Sequence, residues 1–166
     1  MFVNNEEKAY IAGFLDGDGC VMAQLVKHKD YLLGFQIRVS IVFYQKLKNQ
    51  EILTWLKSML QYGYIRERND GMAEYTIVGS AEVRETLVFL LPFLRLKSEL
   101  AQKVIDLIDQ LPKKMNADSL LKLSKLVDET ALFTYSKKRK QTYQSVHDYF
   151  SEHKLFPVET SVLNKY

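Results

Sequence analysis

The sequence is short of the residues that build cross-links and linkers. It has one cysteine in 166 residues, which excludes a disulfide framework and a zinc site made of cysteines. Its three histidines stand at 28, 147 and 153, too scattered to suggest a triad or an imidazole metal cluster. Seven Gly and three Pro are about half the usual ~12% share of those two residues, which excludes Pro/Gly-rich linkers and low-complexity tails. No apolar run is long enough for a membrane span, and the first residues carry acids where a signal peptide would need bases. The expectation is a soluble, intracellular protein with no membrane partner.

What is present suffices for a core of its own. The chain is 47% hydrophobic, 12% aromatic and 26% charged, at a length that suits one domain over residues 1–166. The net charge of +3 is mild but unevenly spread. From Lys113 to Tyr143 there are eight bases against three acids, a local +5 that leaves the remainder at −2. A basic segment on a near-neutral body is the footprint of a nucleic-acid binder, although solvated helix faces produce such runs too.

Residues 5–17 read as a helix, with Asn4 or Asn5 as cap and Glu6 and Glu7 in the first turn, ending at Asp16-Gly17-Asp18-Gly19. Period-two alternation over 20–27 and 35–43 gives a hairpin with one polar face. An amphipathic helix over 49–60 follows. A second hairpin runs over 62–68 and 72–78, with Asn69-Asp70-Gly71 as its turn. Further helices are expected from Ser80 toward Pro92 and over 98–111, 117–133 and 141–152. The order is αββαββα over about 1–111, then α-rich residues 112–166 that carry the basic segment.

Two hairpins with apolar inner faces imply a four-stranded antiparallel sheet covered by helices on one side, an α+β architecture. The other face would carry Met22, Gln24, Val26, His28, Gln36, Arg38, Ser40, Tyr64, Arg66, Arg68, Glu74 and Thr76, with Tyr31 in the connection between the first two strands. The plain reading is a wet sheet face. Against it, many of these side chains are hydrogen-bonding types that read base edges, Arg suiting guanine and Gln adenine. A ten-residue strand also spans ~33 Å, close to one turn of duplex. Tyr44 and Trp55 are expected in the core.

The segment Ile11 to Gly19 needs a physical reason. Gly13 and Gly17 stand four apart in a helix where each Gly costs ~1 kcal/mol relative to Ala, and small residues at that spacing let two helix backbones approach closely. If the partner is the same helix of a second subunit, the two Asp18 carboxylates meet near the twofold axis. At ~4 Å and an effective dielectric of ~20 they repel by ~4 kcal/mol and need a cation between them, for which hard oxygen donors suit Mg²⁺. An ordinary Asp-Gly turn is the alternative. A calcium loop is another, but its alternating acids and terminal Glu do not follow.

Ile11 to Gly19 resembles the LAGLIDADG motif, and the element order is similar to that of the LAGLIDADG homing endonucleases, in particular the single-motif homodimers encoded by group I introns of algal organelle ribosomal RNA genes. The resemblance extends over nearly the whole chain. It implies that Asp18 and the Gly17 carbonyl bind the metal, and that Gln45 and Lys97 order the solvent around it. Where the family commonly has another base, four residues after the Gln, this chain has Asn49, with Lys48 adjacent. The resemblance further implies a dimer interface built on Ile11, Ala12, Gly13, Phe14 and Asp16. It makes Ser136, Lys137, Arg139 and Lys140 contacts to the DNA backbone near the centre of the site.

The implied activity is Mg²⁺-dependent hydrolysis of both strands of a pseudo-palindromic duplex of roughly twenty base pairs, leaving 3′ overhangs, with Mn²⁺ able to substitute. The bases at Arg66, Arg68, Lys137, Arg139 and Lys140 would contact phosphates or base edges. An organelle is implied by the resemblance alone. The competing expectations are a noncatalytic RNA maturase of the host intron and a DNA-binding regulator of the same fold. Retention of Asp18, Gln45 and Lys97 favours the enzyme.

Overall fold

A computed structural model of the chain describes residues 3–134 and 139–156. The first helix, α1 (Asn5–Asp18), starts on a capping box: the Asn4 side chain accepts the Glu7 N–H at 2.8 Å and the Glu7 carboxylate accepts the Asn4 N–H at 3.0 Å. It leads directly into β1 (Gly19–Lys27) and β2 (Phe35–Lys46), which pair antiparallel from Gly19 opposite Phe43 to Lys27 opposite Phe35. A 3₁₀ turn over Leu47–Asn49 precedes α2 (Glu51–Leu60), so the single helix expected over 49–60 opens on a separate turn.

The second hairpin is β3 (Tyr64–Glu67) and β4 (Met72–Val78). The strand expected from residue 62 begins later because Gly63 turns the chain at φ +75° with its α-carbon against Thr76 and Ile77 of β4. A Cβ there would lie 2.2 Å from the Thr76 carbonyl oxygen. At the tip, the Asp70 carboxylate accepts the Met72 N–H and the Arg68 guanidinium, which fixes the turn. Helices α3 (Ser80–Leu90), α4 (Ser98–Asp109), α5 (Ala117–Glu129) and α6 (Tyr143–His153) follow, α3 running into a 3₁₀ turn that contains Pro92. Asn116 and Thr142 cap α5 and α6 with their side chains.

The four strands form one antiparallel sheet in the order β1-β2-β4-β3. One face is buried: Val21, Ala23 and Leu25 of β1, Ile37, Val39, Ile41 and Phe43 of β2, and Ala73, Tyr75 and Ile77 of β4 pack with Leu15, Leu56, Leu87 and Val104 of the helices. Leu120, Leu123 and Val127 of α5 and Val146 and Phe150 of α6 belong to the same cluster, so the C-terminal helices share the core of the N-terminal elements. Tyr149 of α6 lies edge-on beneath Phe35, with the Lys27 ammonium over its ring, which supports the β1–β2 turn. Among the described residues no helix covers the opposite face of the sheet.

Candidate nucleic-acid interface and active site

Two aspartates in the last turn of α1 have different fates. Asp16 is taken up by its own chain: its carboxylate accepts the backbone N–H groups of Arg95 at 2.7 Å, Leu96 at 3.1 Å and Lys97 at 2.9 Å, and the Lys97 ammonium returns to donate to the Asp16 carbonyl. Asp18 is exposed and has no hydrogen bond or ion pair among the described residues. The last turn of α1 contains no base, although a helix C-terminus carries partial negative charge that a base would offset. The Gly17 carbonyl is among the last four of the helix, which the helix itself leaves without amide donors. A free carboxylate beside an unpaired carbonyl at the negative end of a dipole is a hard-oxygen donor set suited to a divalent cation.

One chain supplies only part of such a site. Among the described residues, no group of three His, Cys, Asp or Glu side chains comes together to hold a metal. Gln45, the last residue but one of β2, is half-buried, its side-chain oxygen accepting the Lys46 N–H at 2.9 Å. Lys48 and Asn49 are both exposed on the adjoining 3₁₀ turn.

The outer strip of α1 corrects part of the expected dimer interface. Ile11 and Ala12 are fully buried in the core of their own chain, because they lie on the helix stripe that faces the sheet. Asp16 is occupied by the 95–97 backbone. Gly13 and Gly17 are exposed, and a Cβ at either would have no neighbour within 4 Å. Phe14 is half-buried against Phe43, ring centroids 5.9 Å apart. Beside this strip, Tyr10, Ile52, Trp55, Glu6 and Glu7 line an open apolar groove, with Trp55 edge-on to Tyr10 at 5.6 Å. Trp55 therefore packs on the margin of the core instead of inside it.

The open sheet face carries the residues expected there, but not all are free. Gln24, Gln36, Arg38, His28, Tyr64, Arg66 and Arg68 are exposed, and Met22, Val26 and Tyr31 are half-exposed. Ser40, Glu74 and Thr76 lie on this face with their side chains covered, which corrects the expectation that they contact a ligand directly. Glu74 is held by Arg66 Nη2 at 2.7 Å and lies 3.6 Å from Arg68 Nη1, so its carboxylate fixes two guanidinium groups on neighbouring positions.

Sequence reasoning missed further residues of the face, among them Cys20, Val42, Tyr44 and Val78. The signal was present, since the alternation of β2 continues to Lys46 and puts Tyr44 opposite Glu74, not in the core. Burial beside Cys20 and Glu74 pushes the Tyr44 hydroxyl up from its usual range. Burial likewise raises the Cys20 thiol, which the nearby Lys97 ammonium partly offsets.

Of the C-terminal contacts, Ser136 and Lys137 lie outside the described residues, and Lys140 is exposed. Arg139 turns inward, which corrects its assignment to DNA: Nη1 donates to the Ala23 carbonyl at 2.7 Å and Nη2 to Thr130 Oγ1 at 2.9 Å. β1 is an edge strand, so its outward carbonyls lack a strand partner, and Arg139 satisfies one of them.

Comparison with known proteins places this geometry. A sequence profile for the family described as LAGLIDADG endonuclease matches residues 11–113. The DNA endonuclease I-CvuI of Chlorella vulgaris is 39% identical over 140 residues, 84% of this chain and 87% of that protein. The DNA endonuclease I-CreI of Chlamydomonas reinhardtii is 34% identical over 144 residues, 86% of this chain and 88% of that protein. The crystal structure of I-CvuI bound to its target in the presence of calcium superposes with a TM-score of 0.87 at 36% identity, covering 92% of this chain and 97% of the other.

Proposed function

The chain belongs to the LAGLIDADG endonuclease family and is a homing endonuclease whose substrate is DNA, and from that premise we propose that it cuts both strands of a long pseudo-palindromic duplex as a homodimer. The observation that carries this reading is the unpartnered Asp18 carboxylate at the negative end of α1, directly beside an exposed Gly13/Gly17 strip. Inside a single chain neither feature is favourable. The carboxylate opposes the helix dipole, and Ala at either glycine would stabilise the helix by up to ~1 kcal/mol with room to spare. Both make sense when a second copy of α1 packs along the strip and brings its own Asp18 to the same place. The apolar groove of Tyr10, Ile52 and Trp55 extends the surface that the second copy would cover.

In the dimer Asp18 and the Gly17 carbonyl of each chain would hold Mg²⁺, or Mn²⁺ in its place, and the chemistry supplied there would be a lowered pKa for the attacking water and compensation of charge on the leaving 3′ oxygen. Lys97 is held close by the Asp16 bonds and supplies a positive charge toward the scissile phosphate, where negative charge grows in the transition state. Gln45, a neutral donor and acceptor at the end of β2, orients water. The sheet faces of the two chains each follow about one turn of duplex, roughly twenty base pairs in all, and the cut leaves 3′ overhangs. Lys140, with Lys137 and Lys138 of the basic segment, attracts the phosphates.

The whole chain 1–166 is read as one endonuclease unit. The algal sources of both relatives favour an organelle intron as its home. No helix among the described residues is long and apolar enough to cross a membrane. A maturase or regulator would have no need for an unpaired acid at a charge-repelling centre. The deciding experiment incubates the wild-type protein with a randomised duplex library and Mg²⁺ and sequences the cut ends. Recovery of one pseudo-palindromic site with 3′ overhangs is expected. Absence of cutting with any divalent metal would favour the maturase.

A further inference from the structure

The open sheet face changes chemistry along its strands. Near the β1–β2 turn the paired rows are Val26–Gln36 and Gln24–Arg38, and at the β3–β4 end the row is Tyr44–Glu74–Arg66, with Arg68 beyond it. Between these lie two rows of another kind: Met22–Ser40–Val78, then Cys20–Val42–Thr76–Tyr64. Those seven side chains include no charge and no amide. Ser40, Val42 and Thr76 form a floor at 5%, 4% and 7% exposure. The surface offered outward is therefore Met22, Cys20, Val78 at 40% exposure and Tyr64 at 49%.

We propose that this band reads the 5-methyl groups of thymine, so that each half-site holds a short A·T-rich tract between two tracts read through hydrogen bonds. The inference rests on the sheet face being the DNA surface. In the major groove both kinds of pair present three hydrogen-bonding groups, and only A·T adds a methyl group, on thymine, where a G·C pair offers the approaching side chain nothing but polar edge and a bare ring C–H. Pressing the cytosine amino group or guanine O6 against Met22 and Val78 removes water without returning a hydrogen bond, while a methyl group gains from the same contact. The backbone between the rows is engaged in the sheet ladder and offers no substitute. Rows on one face are two residues apart, ~6.8 Å, so the two rows span ~14 Å, or about four base-pair steps. Cys20 stands two residues from Asp18, which puts the tract close to the cleavage centre.

The test uses the full chain. Sites cut from the randomised library are sequenced, and the recovered site is resynthesised with single dT→dU changes, which remove one methyl group and alter no hydrogen bond. The expected result is about four adjacent A·T-rich positions in each half-site where each lost methyl weakens binding about fourfold, the equivalent of one buried methylene. Changes at the flanking positions should stay within about twofold. Val78→Gln, at an exposed position that leaves the core intact, should make one of those positions indifferent to dT→dU and shift it toward adenine. A recovered site with G·C pairs in the tract, or one that tolerates dT→dU throughout, overturns the band alone. Failure to recover any site overturns the endonuclease reading and the band with it.

Discussion

Asp16 and Lys97 hold each other twice: the Asp16 carboxylate accepts the Lys97 N–H at 2.9 Å, and the Lys97 ammonium donates to the Asp16 carbonyl. The pair links the end of α1 to the start of α4 across 81 positions of sequence. It also divides labour within one helical turn, with Asp16 building the loop that carries a lysine and Asp18 left open for chemistry.

That division predicts opposite phenotypes for the two acids. Asp16→Ala leaves three backbone N–H groups at the head of α4 without an acceptor and should cost about 2–3 kcal/mol in urea unfolding, with slower cleavage because Lys97 is released. Asp18→Asn removes no contact within the chain, so its unfolding midpoint should match the wild type or rise, since the C-terminal dipole loses a repulsion. Cleavage should nevertheless fall below detection while a gel-shift assay still shows site binding. Wild-type cutting by Asp18→Asn would overturn the metal assignment.

The contrast between the two acids marks where sequence reading stops. The fold was legible because local signals agree with one another: the Asn4/Glu7 box, the alternation in both hairpins and the Asn69-Asp70-Gly71 turn each specify their element without tertiary help. Tyr44 was legible too, had the alternation been followed past Phe43. Asp16 and Asp18 look alike in sequence, and only the return of residues 95–97 separates them. Ile11 and Ala12 belong to the motif yet face inward, a matter of helix phase relative to a sheet that the motif alone does not orient.

The cysteine offers a footprint of the sheet face. Its thiol is raised by burial more than the Lys97 ammonium lowers it, so at neutral pH it stays protonated and unreactive. Alkylation by iodoacetamide at pH 7 should run slower than that of free cysteine, quicken as pH rises, and level off only above the usual thiol range. Target duplex should suppress the reaction further at every pH. Labelling of Cys20 that proceeds equally fast in the presence of bound duplex would show that DNA does not cover this end of the face.

Dimer formation can be separated from folding at Gly13. Open space surrounds this position in the single chain, so Gly13→Leu should fold and gain up to ~1 kcal/mol of helix propensity. Its side chain would occupy the strip on which the second α1 packs. Sedimentation should then show a monomer that unfolds cooperatively and does not cut DNA. An active, monodisperse dimer of this variant would refute the helix pairing.

Arg139 tests how a basic run should be read. It stands among four bases at 137–140 and by composition belongs with the phosphate contacts, yet its guanidinium joins the β1 edge at Ala23 to Thr130, at the start of the 3₁₀ turn that follows α5. Burial draws its pKa down, an effect Asp128 partly offsets, as expected for a cation facing protein more than water. Arg139→Met should therefore lower stability by about 2 kcal/mol, since two charge-assisted bonds are lost at a partly exposed site. Arg139→Lys should recover only part of this, because an ammonium cannot reproduce the planar fork that reaches both acceptors. A lost phosphate contact would instead leave the unfolding midpoint in place and reduce the slope of log affinity against log salt by about 1.8, about 0.9 for each chain of the homodimer. Thr130→Val provides the cross-check. Combined with Arg139→Met it should cost less than the two single changes added together, because both remove the same bond. Strict additivity of the two, with a reduced salt slope, would return Arg139 to the DNA.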